Sequence, residues 1–390
     1  MIFSFENCEV NTETRELRCG GDVRPIEPRA FALLQYLIEN NNRMVSKDEV
    51  FANVWDGRIV SDSALSSQIK ALRRAIGDDG RSQNLIRTIH GQGFRFVGSL
   101  APDKMKEDTQ QAADQVIRYC KSSDNVRLAY ATVGEGPALI KTANWLNHLE
   151  YDWQSPVWRH LLRELARHNT LVRYDERGTG LSDWNVLDMT LERCVDDLET
   201  IVEAVGQERF ALFGVSQGAA IAVAYAVRHP ERVSHLILYG GYVKGWRARN
   251  IPEEIERREA MITLMQHGWG ADNPAFRQLF TSLFIPGGTP EQMAWFNDLQ
   301  RISTSPEHAV HHSLSTADYD ISSLLPNVST PTLVMHCTDD AVIPFSAGQE
   351  LAKSIPNANF KTLKGSNHLI LEHEPAWPVF ISEIRKFLKA

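Results

Sequence analysis

No uncharged apolar run of about 18 residues, the length a membrane-crossing helix needs, occurs in the 390-residue chain. The opening residues, MIFSFENCEV, lack the basic segment followed by an apolar one that marks a secretory signal. The expectation is a cytoplasmic protein with no membrane partner. Cysteine is scarce. The five residues Cys8, Cys19, Cys120, Cys194 and Cys337 lie far apart, odd in number and without a CxxC pair. That pattern argues against a disulfide framework or a zinc knuckle and for reduced, mostly buried thiols. HExxH is missing too, and the adjacent His311 and His312 point in different directions with no third ligand beside them, so no metal and no cofactor are assigned. Internal repeats and low-complexity tracts are absent.

An excess of cations is also missing, since the formal net charge is -8. A total hides its distribution, however. Residues 1–100 hold 13 Lys+Arg and 13 Asp+Glu, so the deficit belongs to the remainder. Within that neutral part, Lys70, Arg73, Arg74, Arg81, Arg87 and Arg95 stand against Asp78 and Asp79 alone over positions 68–95. The length, at about 150 residues per domain, invites more than one core. SLAPDKMKEDTQQAADQ, residues 99–115, carries Pro102, many charges and almost nothing to bury, the composition of a solvated connector. The expected division is 1–98, a linker at 99–115, and 116–390.

In the first part, PRAFALLQYLIEN places Phe31, Leu34, Leu37 and Ile38 on one helical face. SKDEVFANVW opens with Ser46 and Glu49 three apart, a capping box in which each side chain satisfies the other's exposed amide. SDSALSSQIKALRRAIG carries Leu65, Ile69, Leu72 and Ile76 as a core-facing stripe. Its opposite face shows Ser63, Ser67, Lys70 and Arg74, with Ser66 and Arg73 at the edge. Small hydroxyls followed by cations suit a helix entering a major groove, where bulk is unwelcome and phosphates flank the path. The bland alternative is a solvated charged face. LIRTIHGQGFRFVG then reads as two strands joined through Gly91-Gln92-Gly93, a hairpin.

Helix, helix, basic helix and hairpin make a winged helix-turn-helix. Residues 3–98, with VWDGRIVSDSALSSQIKALRRAIGDD and the IRTIHGQGFRF wing, closely resemble the DNA-binding domain of OmpR-type response regulators. The resemblance implies that the helix at 63–76 reads the major groove of double-stranded DNA and that the wing, with His90 and Arg95, touches phosphate or the minor groove. No receiver sequence accompanies the module, and a different domain follows. Paired half-sites imply a homodimer.

Beyond the linker, the apolar segments VRLAYATVG, PALIKT, NTLVRYD, RFALFGV, VSHLILYG and PTLVMHC alternate with helical stretches, the order of a largely parallel α/β sheet. Gly214, Ser216 and Gly218 form G-x-S-x-G where FALFGV gives way to QGAAIAVAYAVRHP. A serine on such a strand-to-helix turn is projected above the sheet, with glycines allowing the close approach. Serine is a weak nucleophile near neutral pH and needs a base, and that base an orienting group.

On these residues the region from about 120 to 390 resembles the α/β-hydrolase fold, in which an acid and then a histidine follow the serine. PTLVMHCTDDAVIPF offers Asp339 and Asp340; the resemblance favours Asp340, because proline commonly stands four residues after the acid and Pro344 does. LKGSNHLILEHEP offers His368, with His373 as its rival. The implied chemistry is acyl transfer, with His368 deprotonating Ser216 and Asp340 holding the imidazole. The oxyanion donors would be the amide of Gln217 and, where the family usually has His-Gly and this chain has Ala143-Asn144, the amide of Trp145. YDERGTGLSDW also matches the family, with Arg177 and Ser182 bracing the floor of the site. A serine at the elbow argues against epoxide hydrolases and haloalkane dehalogenases, which place aspartate there.

Between about 241 and 319 the strand signals stop, and helical sequence carries Trp246, Trp269, Phe280, Phe284, Trp295 and Phe296. An insertion there reads as a lid, with Trp145, Trp246 and Trp269 expected to enclose a small apolar ligand. Two readings follow. In one, a DNA-binding regulator uses the serine domain to bind a small apolar ester- or lactone-like signal, the triad either turning it over or only binding it. In the other, a serine esterase carries an accessory DNA-binding module.

Overall fold

Which segments meet is decided by register rather than by distance along the chain, as the first of two compact units, Met1–Gln111 and Ala112–Ala390, illustrates. The structure, a computed structural model, describes residues 2–12, 15–41, 43–55, 62–89, 92–98, 100–101 and 115–389. The first unit runs β1 (Ile2–Phe5), β2 (Cys8–Asn11), β3 (Glu16–Cys19), β4 (Asp22–Arg24), α1 (Pro28–Glu39), β5 (Val45–Ser46), α2 (Lys47–Val54), α3 (Asp62–Ile76), β6 (Ile86–Ile89), β7 (Gly93–Phe96) and β8 (Leu100–Ala101). Among the described residues the strands form an antiparallel sheet in the order β4-β3-β2-β1-β8 and a smaller one, β5-β7-β6.

The apolar stripes of α1 and α3, Phe31, Leu34, Leu37 and Ile38 with Leu65, Ile69, Leu72 and Ile76, are buried in one core together with Phe94 and Phe96 of the hairpin. Ser46 and Glu49 close a reciprocal capping box at the start of α2, satisfying donors that a helix otherwise leaves exposed.

One expectation is overturned here. Cys8 and Cys19 are not free thiols but a disulfide, because β2 and β3 pair antiparallel with these two residues directly opposite. A separation of 11 residues gave no sign of that register. Cys120, Cys194 and Cys337 are free.

The second unit is built on a sheet of β9 (Val116–Lys121), β10 (Arg127–Val133), β11 (Ala138–Lys141), β12 (Thr170–Tyr174), β13 (Phe210–Val215), β14 (Val233–Tyr239), β15 (Thr332–Cys337) and β16 (Asn359–Leu363). Their order is β16-β15-β14-β13-β11-β12-β10-β9. β9 and β10 are antiparallel to their neighbours, and the strands from β12 to β16 run parallel. β13 is buried along its whole length. Its alternate residues feed two cores: Ala211, Phe213 and Val215 face one layer of helices, and Phe210 and Leu212 the other. A near-continuous apolar run is what a strand covered on both faces requires.

The edge strands β9 and β16 escaped the reading by apolar runs. VIRYCK and NFKTL are half polar, as edges exposed to water tend to be.

Between β14 and β15 the chain forms the helices Pro252–Gly268, Ala275–Phe284, Pro290–Ser303 and Pro306–Ala317. Under the sheet's carboxyl edge, Arg177 is fully buried and donates to Asp197 Oδ2 at 2.6 Å and to Asp124 Oδ2 at 2.8 Å. Ser182 donates to the Asp175 carbonyl at 2.7 Å and accepts from the Ala129 amide at 3.0 Å. These bonds hold the loop after β12 in place. Among the described residues no helix is long and apolar enough to cross a membrane.

Candidate functional site

β13 ends at Val215 and the helix Gly218–Arg228 starts within three residues, so the backbone must reverse sharply at Ser216. Ser216 takes φ 55°, a left-handed conformation that a residue with a Cβ adopts at a cost of about 1–3 kcal/mol. Gly218 makes the turn possible: a Cβ there would lie 2.3 Å from the Ala143 carbonyl oxygen. The strain has a use, since it lifts the hydroxyl of Ser216 out of the sheet and onto the wall of a cavity.

Asp340 follows β15, and its Oδ1 accepts the amides of Val342 at 2.8 Å and Ile343 at 3.0 Å. Burial acts to raise this carboxyl, but the adjacent His368 and the Ile343 amide outweigh it and hold the group below its ordinary value. Asp340 is therefore the carboxylate, and Nδ1–H of His368 donates to its Oδ2 at 2.6 Å. That bond selects the imidazole tautomer and leaves the lone pair on Nε2. Nε2 of His368 is buried and has no hydrogen-bond partner among the described residues, Ser216 included. The His368 amide donates to the Phe284 carbonyl at 2.8 Å, and the Phe284 ring meets the imidazole edge-on at 5.4 Å. Asp339 accepts from the Thr338 hydroxyl at 2.7 Å instead, and His373 lies exposed beside the Gly287 carbonyl. The structure thus brings Asp340 and His368 together and leaves both rivals out.

The cavity, of about 110 Å³, is lined by Ser216, Gln217, Trp145, Trp246, Phe280 and Phe284, with Arg249 and Arg258 on its polar side. Two expectations about tryptophan need correction. Trp269 does not line the cavity; its ring packs against Trp145 at 5.5 Å and Phe280 at 5.9 Å, and its indole N–H is spent on the Thr304 carbonyl. Nor is the Trp145 amide an open oxyanion donor, because it donates to the side-chain Oε1 of Gln217 at 2.9 Å.

Behind that bond lies a group the sequence reading did not assemble. Nε2 of Gln217 lies 3.4 Å from both oxygens of Glu176, whose Oε2 meets Nε2 of His312 at 2.9 Å. His312 in turn stacks on the Trp145 ring at 4.4 Å. Burial acts to raise Glu176, but His312 and Gln217 outweigh it and keep the carboxyl ionised below its ordinary value. The signal for Glu176 was its place in YDERG, beside an arginine already singled out; His312 gave none, since its partner is 136 residues away. Its neighbour His311 turns to the Leu187 carbonyl.

On the first unit, Ser66, Ser67, Lys70 and Arg74 lie on the exposed side of α3, and Arg95 is exposed on β7. Arg73 is a correction. Its guanidinium is buried, donating to the Ile86 carbonyl at 2.7 Å and the Thr88 hydroxyl at 2.8 Å, and it pairs with Asp78, so it ties α3 to the wing. At 100° per residue it sits at the margin of both faces, and a nearby buried carboxylate settles which one it joins. The side chain of Ser63, and His90 altogether, lie outside the described residues.

Comparison with known proteins finds one family match in each unit. Residues 149–375 match the family described as alpha/beta hydrolase fold, and residues 21–96 match the family described as transcriptional regulatory protein, C terminal. The AB hydrolase superfamily protein YisY of Bacillus subtilis is 27% identical over 266 residues, covering 64% of this chain and 91% of YisY. A hydrolase from Pseudomonas aeruginosa PA01 superposes with a TM-score of 0.59 at 23% identity, over 70% of this chain and 98% of its own. An esterase from Exiguobacterium antarcticum gives a TM-score of 0.59 at 19% identity, over 70% and 100%. At such identities the two structures speak to the fold alone. The chain belongs to the alpha/beta hydrolase fold family, with a DNA-binding domain of the transcriptional regulatory protein C-terminal type in the same polypeptide.

Proposed function

We propose that the protein is a cytoplasmic, homodimeric DNA-binding regulator whose hydrolase-fold domain binds, and slowly hydrolyses, a small ester- or lactone-like signal. The observation that carries the reading is the left-handed Ser216 on the wall of a ring-lined cavity, together with the Asp340–His368 bond. In the chemistry proposed, a ligand carbonyl enters over Ser216 and the imidazole closes the remaining distance to the hydroxyl. His368 Nε2 then takes the serine proton as Oγ adds to the carbonyl carbon, with Asp340 stabilising the resulting imidazolium. The oxyanion is met by the Gln217 amide and, once the Gln217 side chain yields it, by the Trp145 amide. Collapse expels the alcohol, which takes the proton back from His368, and water then releases the acid. On DNA, Ser63, Ser66, Ser67, Lys70, Arg74, His90 and Arg95 make the contacts, and Arg73 supports them from behind. Regulation requires that the ligand favour one DNA-binding arrangement over another.

The test is an electrophoretic shift with the region upstream of the protein's own gene, at low salt. The intact protein and Ser216→Ala both shift it, Lys70→Ala with Arg74→Ala shifts it only at much higher protein concentration, and an aryl ester alters the shift. A protein that binds no DNA yet cleaves aryl esters rapidly is instead an esterase with an accessory module.

A further inference from the structure

The polar side of the cavity is unbalanced in charge. Arg249 donates through Nε to Glu254 Oε2 at 2.9 Å and through Nη2 to Glu254 Oε1, and its Nη1 holds the Lys244 carbonyl at 2.9 Å. Glu254 is therefore consumed by Arg249 as a two-pronged pair. Arg258, one helical turn on, comes no closer to Glu254 than 3.9 Å, through Nε. Its Nη2 donates to the Val342 carbonyl at 2.8 Å, and Nη1 has no hydrogen bond among the described residues. Two guanidiniums that line the cavity with Ser216 thus share the one carboxylate of Glu254. Burial keeps Arg258 below the ordinary guanidinium value in spite of Glu254, as expected of a cation short of compensating charge.

The rest of the lining is mainly rings and thioethers, among them Trp246, Phe280, Phe284, Met261 and Met265, with the hydroxyls of Ser313 and Thr316 beside them and no carboxylate. A neutral apolar ligand would desolvate Arg258 further with only the Val342 carbonyl and a distant, shared Glu254 to answer its charge, a costly arrangement. Resting on the ligand reading above, we propose that the ligand of this cavity is an anionic ester: an apolar chain or ring with a carbonyl for Ser216 and a carboxylate for Arg258. A carboxylate presented to Nη1 would complete the pairing that Glu254 leaves unfinished, and guanidinium is the side chain whose planar donors match that group.

The experiment measures binding by calorimetry to the full-length Ser216→Ala protein, which cannot turn the probes over. The probes are monoethyl suberate, which carries one carboxylate, and diethyl suberate, its neutral counterpart. The expected result is tighter binding of the monoester by about 10-fold or more, the range of hydrogen bonds to charged groups. Arg258→Met should collapse that preference to within about 2-fold while diester binding persists, so loss of the Val342 tie cannot mimic the effect. Arg257→Met, removing an exposed cation from the same helix, should keep the preference and so exclude a general field. Equal binding of the two esters, or a preference that survives Arg258→Met, overturns the proposal. If neither ester binds any of the proteins, the ligand reading itself falls and takes this one with it.

Discussion

Replacing Gln217 by alanine should accelerate ester cleavage, the reverse of what deleting a polar group beside a nucleophile usually does. The Trp145 amide is held at 2.9 Å by the Gln217 side-chain oxygen, so an oxyanion has to compete for it. A neutral hydrogen bond of this kind is worth about 0.5–1.5 kcal/mol net. At 1.36 kcal/mol per decade, removing the competitor raises kcat roughly 2- to 10-fold. The Gln217 backbone N–H, the other proposed donor, is untouched by the substitution. Gln217→Glu is the counter-experiment: a carboxylate of the same shape keeps the Trp145 amide with a charge-assisted bond and repels the oxyanion. Its kcat should drop by at least about 10-fold, since losing one such donor costs roughly 100- to 1000-fold in a working site. The assay is the burst and steady state of 4-nitrophenyl acetate cleavage, with circular dichroism melts confirming that each variant is folded. A folded Gln217→Ala protein slower than wild type by 10-fold would refute the reasoning, because Gln217 would then be supporting the transition state rather than occupying its place.

Arg177→Met should lower stability by about 3–5 kcal/mol, because it strands the buried Asp197, and on the order of 10 °C in Tm by calorimetry. Burial already pushes Asp197 up to about 6 with Arg177 present. Without the arginine its folded value rises further above the unfolded one, so the loss grows as pH rises and should be smaller at pH 5.5 than at pH 8. His160 is depressed by burial from 6.5 to about 4 while bonding to the Ile370 carbonyl at 3.0 Å. The unfolded chain binds that proton more readily, so stability is present above about pH 6.5 and is lost as pH falls toward 4, on the order of 3 kcal/mol. His160→Gln should flatten this part of an acid-denaturation curve, and an unchanged curve would remove His160 from the account. Lys70→Ala with Arg74→Ala should make the log–log salt slope of DNA binding shallower by about 2 with little change in Tm. Arg73→Ala should do the opposite, lowering the Tm of the first unit by freeing the Ile86 carbonyl and Asp78.

Local pattern and chain order were enough for much of this protein. The capping box at Ser46 and Glu49, the stripe of Leu65, Ile69, Leu72 and Ile76, and the apolar runs that became β10 to β15 all depend on neighbours within a few residues, where periodicity speaks directly. The elbow at Ser216 was legible for the same reason, since only glycine beside it lets strand and helix approach. Tertiary structure alone decided what needed a partner from far away. The Cys8–Cys19 pairing required a strand register, and the burial of Arg73 required Asp78 and the hairpin to close over it. Capture of the Trp145 amide by Gln217, the Glu176–His312 pair, and the sharing of Glu254 between Arg249 and Arg258 each depend on angstrom-scale placement. Hydrogen bonds and ion pairs fall away within a few ångströms, whereas residue type and spacing constrain position only to the level of an element and a face.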